Sequence, residues 1–225
     1  MIKFIRNINQ YFKKIKFTKW EKKKILKDGT LFNAFDKTKT IFIHIPKTAG
    51  ISIIKSVYGD VSLGGHRSMH FYSKIFDFNK DKYFSFCFVR NPYDRLYSSY
   101  KFLQKGGINQ HDKNAFSMYI EKYKNFEDFV INGLDVQMIY EITHLVPQSK
   151  FICDKNRKIL VDFIGKFENL ENDVLSLSKK MKKNISLEHH NSNLGKQNYL
   201  EVYTPEMIKK VKNIYKTDFE IFGYN

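Results

Sequence analysis

Two near-continuous apolar runs, residues 41–45 and 83–90, each pass directly into a proline-bearing turn and then a helix start. No other feature of the chain constrains the fold as strongly. The first stretch reads Phe42-Ile-His-Ile-Pro-Lys-Thr-Ala-Gly-Ile-Ser52, and the second ends Phe88-Val-Arg-Asn-Pro-Tyr-Asp-Arg95. Strands that are apolar on both alternating faces are covered on both sides, the usual condition of a parallel sheet. Parallel neighbours need a crossover between them, and residues 50–58 and 92–104 show helical spacing at the required places.

The alternation continues toward the C-terminus. Residues 114–132 and 134–142 have helical patterns, Lys150-Phe-Ile-Cys153 and 159–164 read as further strands, and 168–182 as a helix. The segment 59–70 is irregular, and 188–200 is a loop rich in Asn, Gly and His. Thr204-Pro205-Glu206 carries the cap, the N1 proline and the acidic first turn of a last helix running to about residue 217. The expected fold is α/β, a three-layer α/β/α arrangement around a central, mainly parallel sheet, in one domain over residues 31–225.

Composition sets the outer limits. At 225 residues, with 42% hydrophobic and 16% aromatic content, the chain is long enough for one real core and is not a disordered chain. The formal charge of +16 asks for an anionic partner, but lysine carries most of it. Abundant Lys, Ile, Asn, Phe and Tyr together also follow from nucleotide bias, so the charge alone selects no partner. Cys87 and Cys153 make neither a CxxC nor a zinc spacing, and read as buried thiols in a reducing compartment. There is no apolar stretch of membrane-spanning length and no long apolar run of a secretory signal near Met1, so the expected location is cytoplasmic.

Residues 1–30 form a separate basic segment. Ile5, Ile8, Phe12 and Ile15 recur at helical spacing among Lys13, Lys14, Lys16, Lys19 and Lys22 to Lys24, the pattern of a basic amphipathic helix. Three fates fit such a helix over residues 1–27: peripheral contact with the anionic inner face of a membrane, packing on the domain, or a solvated arm.

The chemistry lies in the two turns. Where a strand runs into a helix, the turn's N–H groups and those of the first helical turn lack partners and converge, and the helix dipole favours negative charge there. Ala49 and Gly50 let an anion approach the backbone, Thr48 and Ser52 offer hydroxyls, and Lys47 adds a compact positive charge. A plain β-to-helix turn remains the alternative for this motif on its own. In the second turn, Arg90 emerges at the carboxyl edge of the sheet, where ligands bind in open α/β folds, with Asn91 as N-cap and Pro92 at N1. Arg90 and Ser98 would form a fork for a phosphate monoester. The Walker pattern places its lysine after the loop glycines, whereas Lys47 precedes Ala49 and Gly50, and no strand ends in an obvious magnesium-binding Asp. A nucleotide kinase or GTPase is therefore disfavoured.

Taken together, these residues resemble a known family. Phe42 to Ser52 looks like the 5′-phosphosulfate loop, and Phe86-Cys-Phe-Val-Arg-Asn-Pro-Tyr-Asp-Arg-Leu-Tyr-Ser-Ser-Tyr100 like the 3′-phosphate element, of carbohydrate sulfotransferases of the heparan 2-O and chondroitin type and their bacterial relatives. Pro147-Gln148-Ser149, Val161 to Leu170 and Asp218 to Tyr224 extend the likeness across about residues 40–224. The resemblance implies a P-loop-nucleotide-binding-like fold and transfer of a sulfuryl group from 3′-phosphoadenosine-5′-phosphosulfate (PAPS) to a carbohydrate hydroxyl. It implies that Lys47, Thr48, Ala49, Gly50, Ile51 and Ser52 hold the 5′-phosphosulfate and that Arg90 and Ser98 hold the 3′-phosphate. Lys196 and Tyr199, in Asn191-Ser-Asn-Leu-Gly-Lys-Gln-Asn-Tyr199, resemble the segment that closes over the nucleotide. Ile51 stands where relatives usually carry Thr, so only its N–H can serve.

Attack by a sugar hydroxyl needs a positioned base, and histidine suits neutral pH. His66, in Gly64-Gly-His-Arg-Ser68, resembles the catalytic histidine region of the heparan 2-O enzymes, and Lys47 is its catalytic partner at the leaving group. His70 is the rival base, with Arg67 beside it as a binder of an acidic substrate group. His144 and Gln148 are placed at the acceptor cleft, while His44, between Ile43 and Ile45, reads as a satisfied sheet histidine. His189 and His190 lack a third ligand at metal spacing, and chemistry of this kind needs no metal. The acceptors that fit are an acidic capsular polysaccharide, an exopolysaccharide precursor or a lipid-linked glycan. A nucleic-acid-binding basic domain and a nucleotide-dependent kinase are the other readings. The sequence shows no aromatic RNA motif, helix-turn-helix spacing or zinc module for the former.

Overall fold

A computed structural model describes residues 16–78, 80–187 and 199–225. Three strands, β1 (Thr40–Ile43), β2 (Phe84–Val89) and β3 (Phe163–Lys166), form one parallel sheet with β2 in the middle. Phe42 faces Phe86 and Ile43 faces Cys87 across one pair; Phe88 faces Gly165 across the other. Ile41, Phe42, Ile43 and Phe86 to Val89 are fully buried, as double-covered strands require.

Helices α1 (Leu31–Thr38), α2 (Gly50–Tyr58) and α3 (Met69–Ile75) precede β2, and α4 (Pro92–Gln104) and α5 (Gln110–Tyr119) follow it. After β3 come α6 (Leu170–Met181), α7 (Pro205–Ile214) and α8 (Lys216–Phe222). One core joins the sheet to α1, α2, α3 and α6 through residues such as Phe35, Ile53, Tyr72 and Leu177. A second joins α4 to the 126–145 segment, α7 and α8 through Leu96, Tyr100, Phe129, Met207 and Tyr215. The chain is thus an α/β fold with a parallel sheet among helices.

Several elements differ from the sequence expectation for local reasons. Lys150-Phe-Ile-Cys153 is not a strand. It lies in a helical turn, Ser149–Ile152, because the buried Asp218 carboxylate accepts from the Gln148 and Ser149 N–H groups at 2.6 and 2.9 Å and caps it. A short apolar run cannot by itself distinguish the two states. The last strand starts at Phe163 rather than 159. The helix expected over 114–132 begins earlier, at the Asn109 cap, and ends at Tyr119. Asn125 then caps a new turn, Phe126–Asp128, which runs into the π-helical turn Phe129–Gly133. In place of a helix over 134–142, Asp135 accepts from the N–H groups of Gln137 and Met138 and leaves only the 3-10 turn Met138–Tyr140. The irregular stretch 59–70 ends in the start of α3, which Ser68 caps.

Most of the residues that suggest an N-terminal amphipathic helix, Ile5 to Ile15, lie outside the described residues, as do Lys196, His189 and His190. The described remainder is helical over 16–22 and packs on the domain. Glu21 is 1% exposed, the Asn33 amide donates to the Ile25 carbonyl at 2.7 Å, and the Thr30 hydroxyl to the Lys24 carbonyl at 2.6 Å. No helix among the described residues is long and apolar enough to cross a membrane.

Gly165 is where the sheet is tightest, because a Cβ there would overlap the ring of its register partner Phe88. Gly165→Ala is expected to lose about 1–3 kcal/mol by overpacking, read as a lower urea midpoint at unchanged slope.

Candidate active site

β1 ends at Ile43 and α2 begins at Gly50, so the chain turns through His44 to Ala49 at the carboxyl edge of the sheet. Lys47 and Ala49 both adopt positive φ, 67° and 63°. Each such residue costs about 1 kcal/mol or more, strain of a kind that collects at functional sites. The curl turns backbone N–H groups toward one side, which makes an anion-binding nest. Thr48 is fully buried and its hydroxyl donates to the Ile45 carbonyl at 2.9 Å, so its side chain fastens the turn instead of reaching a ligand.

Ala49, the N-cap of α2, brings no side-chain acceptor. By contrast, Thr30, Ser68, Asn91, Asn109 and Thr204 cap α1, α3, α4, α5 and α7. The first-turn donors and the positive dipole end of α2 therefore face the turn uncompensated. Gly50 is demanded by packing as well as by ligand approach, because a Cβ there would overlap the His44 ring. Ile51 is 43% exposed and Ser52 half-buried at the same helix end.

Arg90 closes the other side. Its guanidinium donates twice to Asp94, from Nε at 2.8 Å and Nη2 at 2.7 Å, and once to the Lys47 carbonyl at 3.2 Å. It also lies 4.0 Å over the Phe167 ring. Three of the five guanidinium donors are thus engaged and two remain for a ligand. Asp94 and half-buried Ser98 are one turn apart on α4 and share one helix face, and Asp94 ties Arg90, which precedes the helix, to that face. Tyr199 sits within the field of Asp94, Glu168 and Arg90, and burial pushes its hydroxyl pKa up. Gln148 is fully buried and grips the backbone of Arg90 at both ends, its Oε1 accepting from the N–H at 2.9 Å and its Nε2 donating to the carbonyl at 2.8 Å. It supports Arg90 from below.

Beside the cradle, three histidines gather. The His44 and His66 rings are 4.3 Å apart, and those of His66 and His144 5.5 Å. His66 Nδ1 is 2.9 Å from the His44 carbonyl. A carbonyl only accepts, so Nδ1 carries the proton and Nε2 keeps its lone pair. Burial lowers the pKa of His66, which is therefore neutral at pH 7. His144 Nε2 lies 3.1 Å from Asp112 Oδ1, while its Nδ1 is buried without a partner. Burial outweighs the Asp112 charge and brings His144 down to about 4, so this contact is a hydrogen bond from a neutral ring. Lys47 Nζ lies 4.2 Å over the Phe102 ring, and burial with the nearby Arg90 charge lowers its pKa to about 8.

The cradle turn and the His144 segment are joined by Arg95, which is fully buried and donates to the carbonyls of Pro46 at 3.2 Å, His144 at 3.1 Å and Val146 at 2.6 Å. Asp94 does not pair with it, being spent on Arg90. His70 is exposed on α3, away from the ring contacts of the cluster. Arg67 lies 5.0 Å from the Phe71 ring and 3.9 Å from Glu21 of the N-terminal segment. His44, Phe102 and Asp112 enter the site without having been singled out for it in the sequence. Asp112 carried no signal beyond a helix start after Asn109, and His44 read as a strand residue. Among the described residues, no group of three or more His, Cys, Asp or Glu is arranged to hold a metal ion.

A β-strand, an uncapped helix and a lysine-bearing nest, faced by an arginine at the next strand end, put unpaired donors and positive charge together at the sheet's carboxyl edge, an arrangement suited to an anionic group. Residues 30–225 match the sulfotransferase family, and the chain belongs to it. An uncharacterized protein of Archaeoglobus fulgidus is 33% identical over 101 residues, 45% of this chain and 69% of the relative. No solved structure matches the chain significantly.

Arg95→Met is expected to leave the Pro46 and Val146 carbonyls without their partner and the His144 carbonyl with Ser99 alone, and to cost about 3 kcal/mol or more in urea unfolding, given roughly 1.5–3 kcal/mol for each hydrogen bond to a charged group.

Proposed function

We propose that the protein transfers a sulfuryl group from PAPS to a hydroxyl of a carbohydrate, with His66 as general base. The observation that carries this reading is the placement of a neutral imidazole with a free Nε2 beside a lysine-bearing anion nest. Family membership supplies the reaction class. The donor, when bound, supplies a sulfuryl group already joined to a phosphate leaving group.

The residues divide that work. The nest over Lys47 to Ser52 and the α2 N-terminus bind the 5′ end, and Lys47 offsets the charge that grows on the departing phosphate. The two spare donors of Arg90, with Ser98, bind the 3′-phosphate. Tyr199 and Lys196 flank the nucleotide. His66 Nε2 takes the proton of the attacking hydroxyl, and the imidazolium that results is held through Nδ1–H by the His44 carbonyl. The acceptor is an acidic capsular polysaccharide, an exopolysaccharide precursor or a lipid-linked glycan reached at the inner membrane face through residues 1–27.

Calorimetry with 3′,5′-adenosine bisphosphate against ATP tests the donor. The bisphosphate is expected to bind more tightly, and Arg90→Ala to weaken it roughly 10- to 100-fold. Tight binding of ATP without the bisphosphate, the behaviour of a kinase, would sink the assignment. His66→Ala is expected to cut transfer of labelled sulfate roughly 10²- to 10⁴-fold while leaving bisphosphate affinity in place; near wild-type turnover moves the base to another histidine.

Lys47 adds a pH signature. Its pKa in the free protein is about 8, and a bound anion raises it, so the ligated protein holds a proton that the free protein has lost. Above pH 8, bisphosphate binding should take up a proton, seen as a binding enthalpy that depends on the buffer's ionisation enthalpy. Lys47→Arg, charged throughout, should abolish that dependence.

A further inference from the structure

A groove of about 330 Å³ runs along the N-terminal segment, lined by Trp20, Lys23, Lys24, Lys27, Leu63 and Gly64, and none of its lining residues is acidic. Trp20 is 57% exposed. Its ring is not adrift: Lys24 Nζ sits 4.2 Å over it and 2.9 Å from the buried Glu21 carboxylate, and Phe17 packs 6.2 Å away. The same Glu21 faces Arg67 at 3.9 Å, so the segment that carries Trp20 is stitched to the residue beside His66. Gly64, on the groove wall, is two positions before His66, and a Cβ there would press on Leu31 and Phe32 at 3.3 and 3.4 Å, so the loop lies tight against α1. The groove thus ends two residues short of His66, on the loop that carries it.

We propose that this groove is the acceptor subsite of the transferase and takes an anionic glycan chain, with a sugar ring stacked on Trp20 and its carboxylate or sulfate groups met by Lys23 and Lys27. The inference rests on the sulfotransferase reading and adds to it the surface on which the acceptor lies and the residues that meet it. A rigid aromatic face offers the apolar C–H face of a sugar a surface at little entropic cost, and exposed ammonium groups add attraction to acidic substituents. Concavity favours a chain over a lipid surface, since a bilayer meets protrusions better than grooves.

Trp20 is the single tryptophan of the chain, so fluorescence excited selectively at tryptophan, at the red edge beyond tyrosine absorption, reports on the groove. Heparin, as the anionic glycan probe, should shift or quench the emission of the full-length protein, and neutral dextran should not. The double variant Lys23→Glu/Lys27→Glu should weaken the heparin response at least tenfold and steepen no other property, with 3′,5′-adenosine bisphosphate affinity unchanged. An equal response to inorganic polyphosphate would reduce the groove to a charge patch and overturn the glycan assignment. A response to phosphatidylglycerol vesicles and not to heparin would overturn it in favour of a membrane, and silence toward all probes would overturn it outright. Bisphosphate binding in the same samples separates the two claims. If the bisphosphate binds and heparin does not, only the groove proposal falls; if the bisphosphate fails to bind, the transferase reading falls and takes the acceptor subsite with it.

Discussion

The site is assembled around one buried cation. Arg95 has no carboxylate in contact; it is held by three backbone carbonyls drawn from the cradle turn and from the 144–146 segment. Burial disfavours its charge, and the nearby Asp218 carboxylate offsets part of that cost through space. A guanidinium in such a place stays charged and keeps its fork geometry, so it fixes the spacing between two backbone segments that no strand pairing joins. Ser99, one turn on, donates to the same His144 carbonyl at 3.0 Å and reinforces the bridge. The cradle turn, which carries two left-handed residues, depends on such outside support because its own conformation is strained.

Electrostatically, the site is a set of neutral bases next to cations. Three imidazoles are kept uncharged by burial, and Lys47 is pulled toward neutrality by burial and by Arg90. The free site therefore stores an unfavourable accumulation of positive charge that an anionic ligand relieves. The carboxylates present are already committed, Asp94 to Arg90 and Asp112 to His144.

Legibility in the sequence followed the range of the interactions. The two strand-to-helix units were readable because their signals are local: continuous apolar residues, a proline at N1, an Asn cap. Lys47 and Arg90 stand at the turns of those units, and His66 in the irregular segment between them, where the sequence reading put them. What was not readable depends on partners far along the chain. The turn at Ser149 is capped by Asp218, Gln148 reaches back to Arg90, and Asp112 reaches His144, none of which a local pattern contains. Arg95 stands in the first turn of α4, where local pattern marks only a helix start, and its three carbonyl partners lie about 50 residues away along the chain. His44 followed the alternation of a strand, yet its ring faces the site and its carbonyl, past the end of β1, holds His66.

The contact between Gly50 and the His44 ring ties the two halves of the site to one another. The glycine lets the helix end approach an anion, and the histidine it lies against carries the carbonyl that fixes His66. The cradle turn and the His66 ring thus depend on one packing contact. Any enlargement at position 50 would displace the His44 ring and, through it, the carbonyl that holds His66, so a change made at the helix end is felt at the histidine cluster.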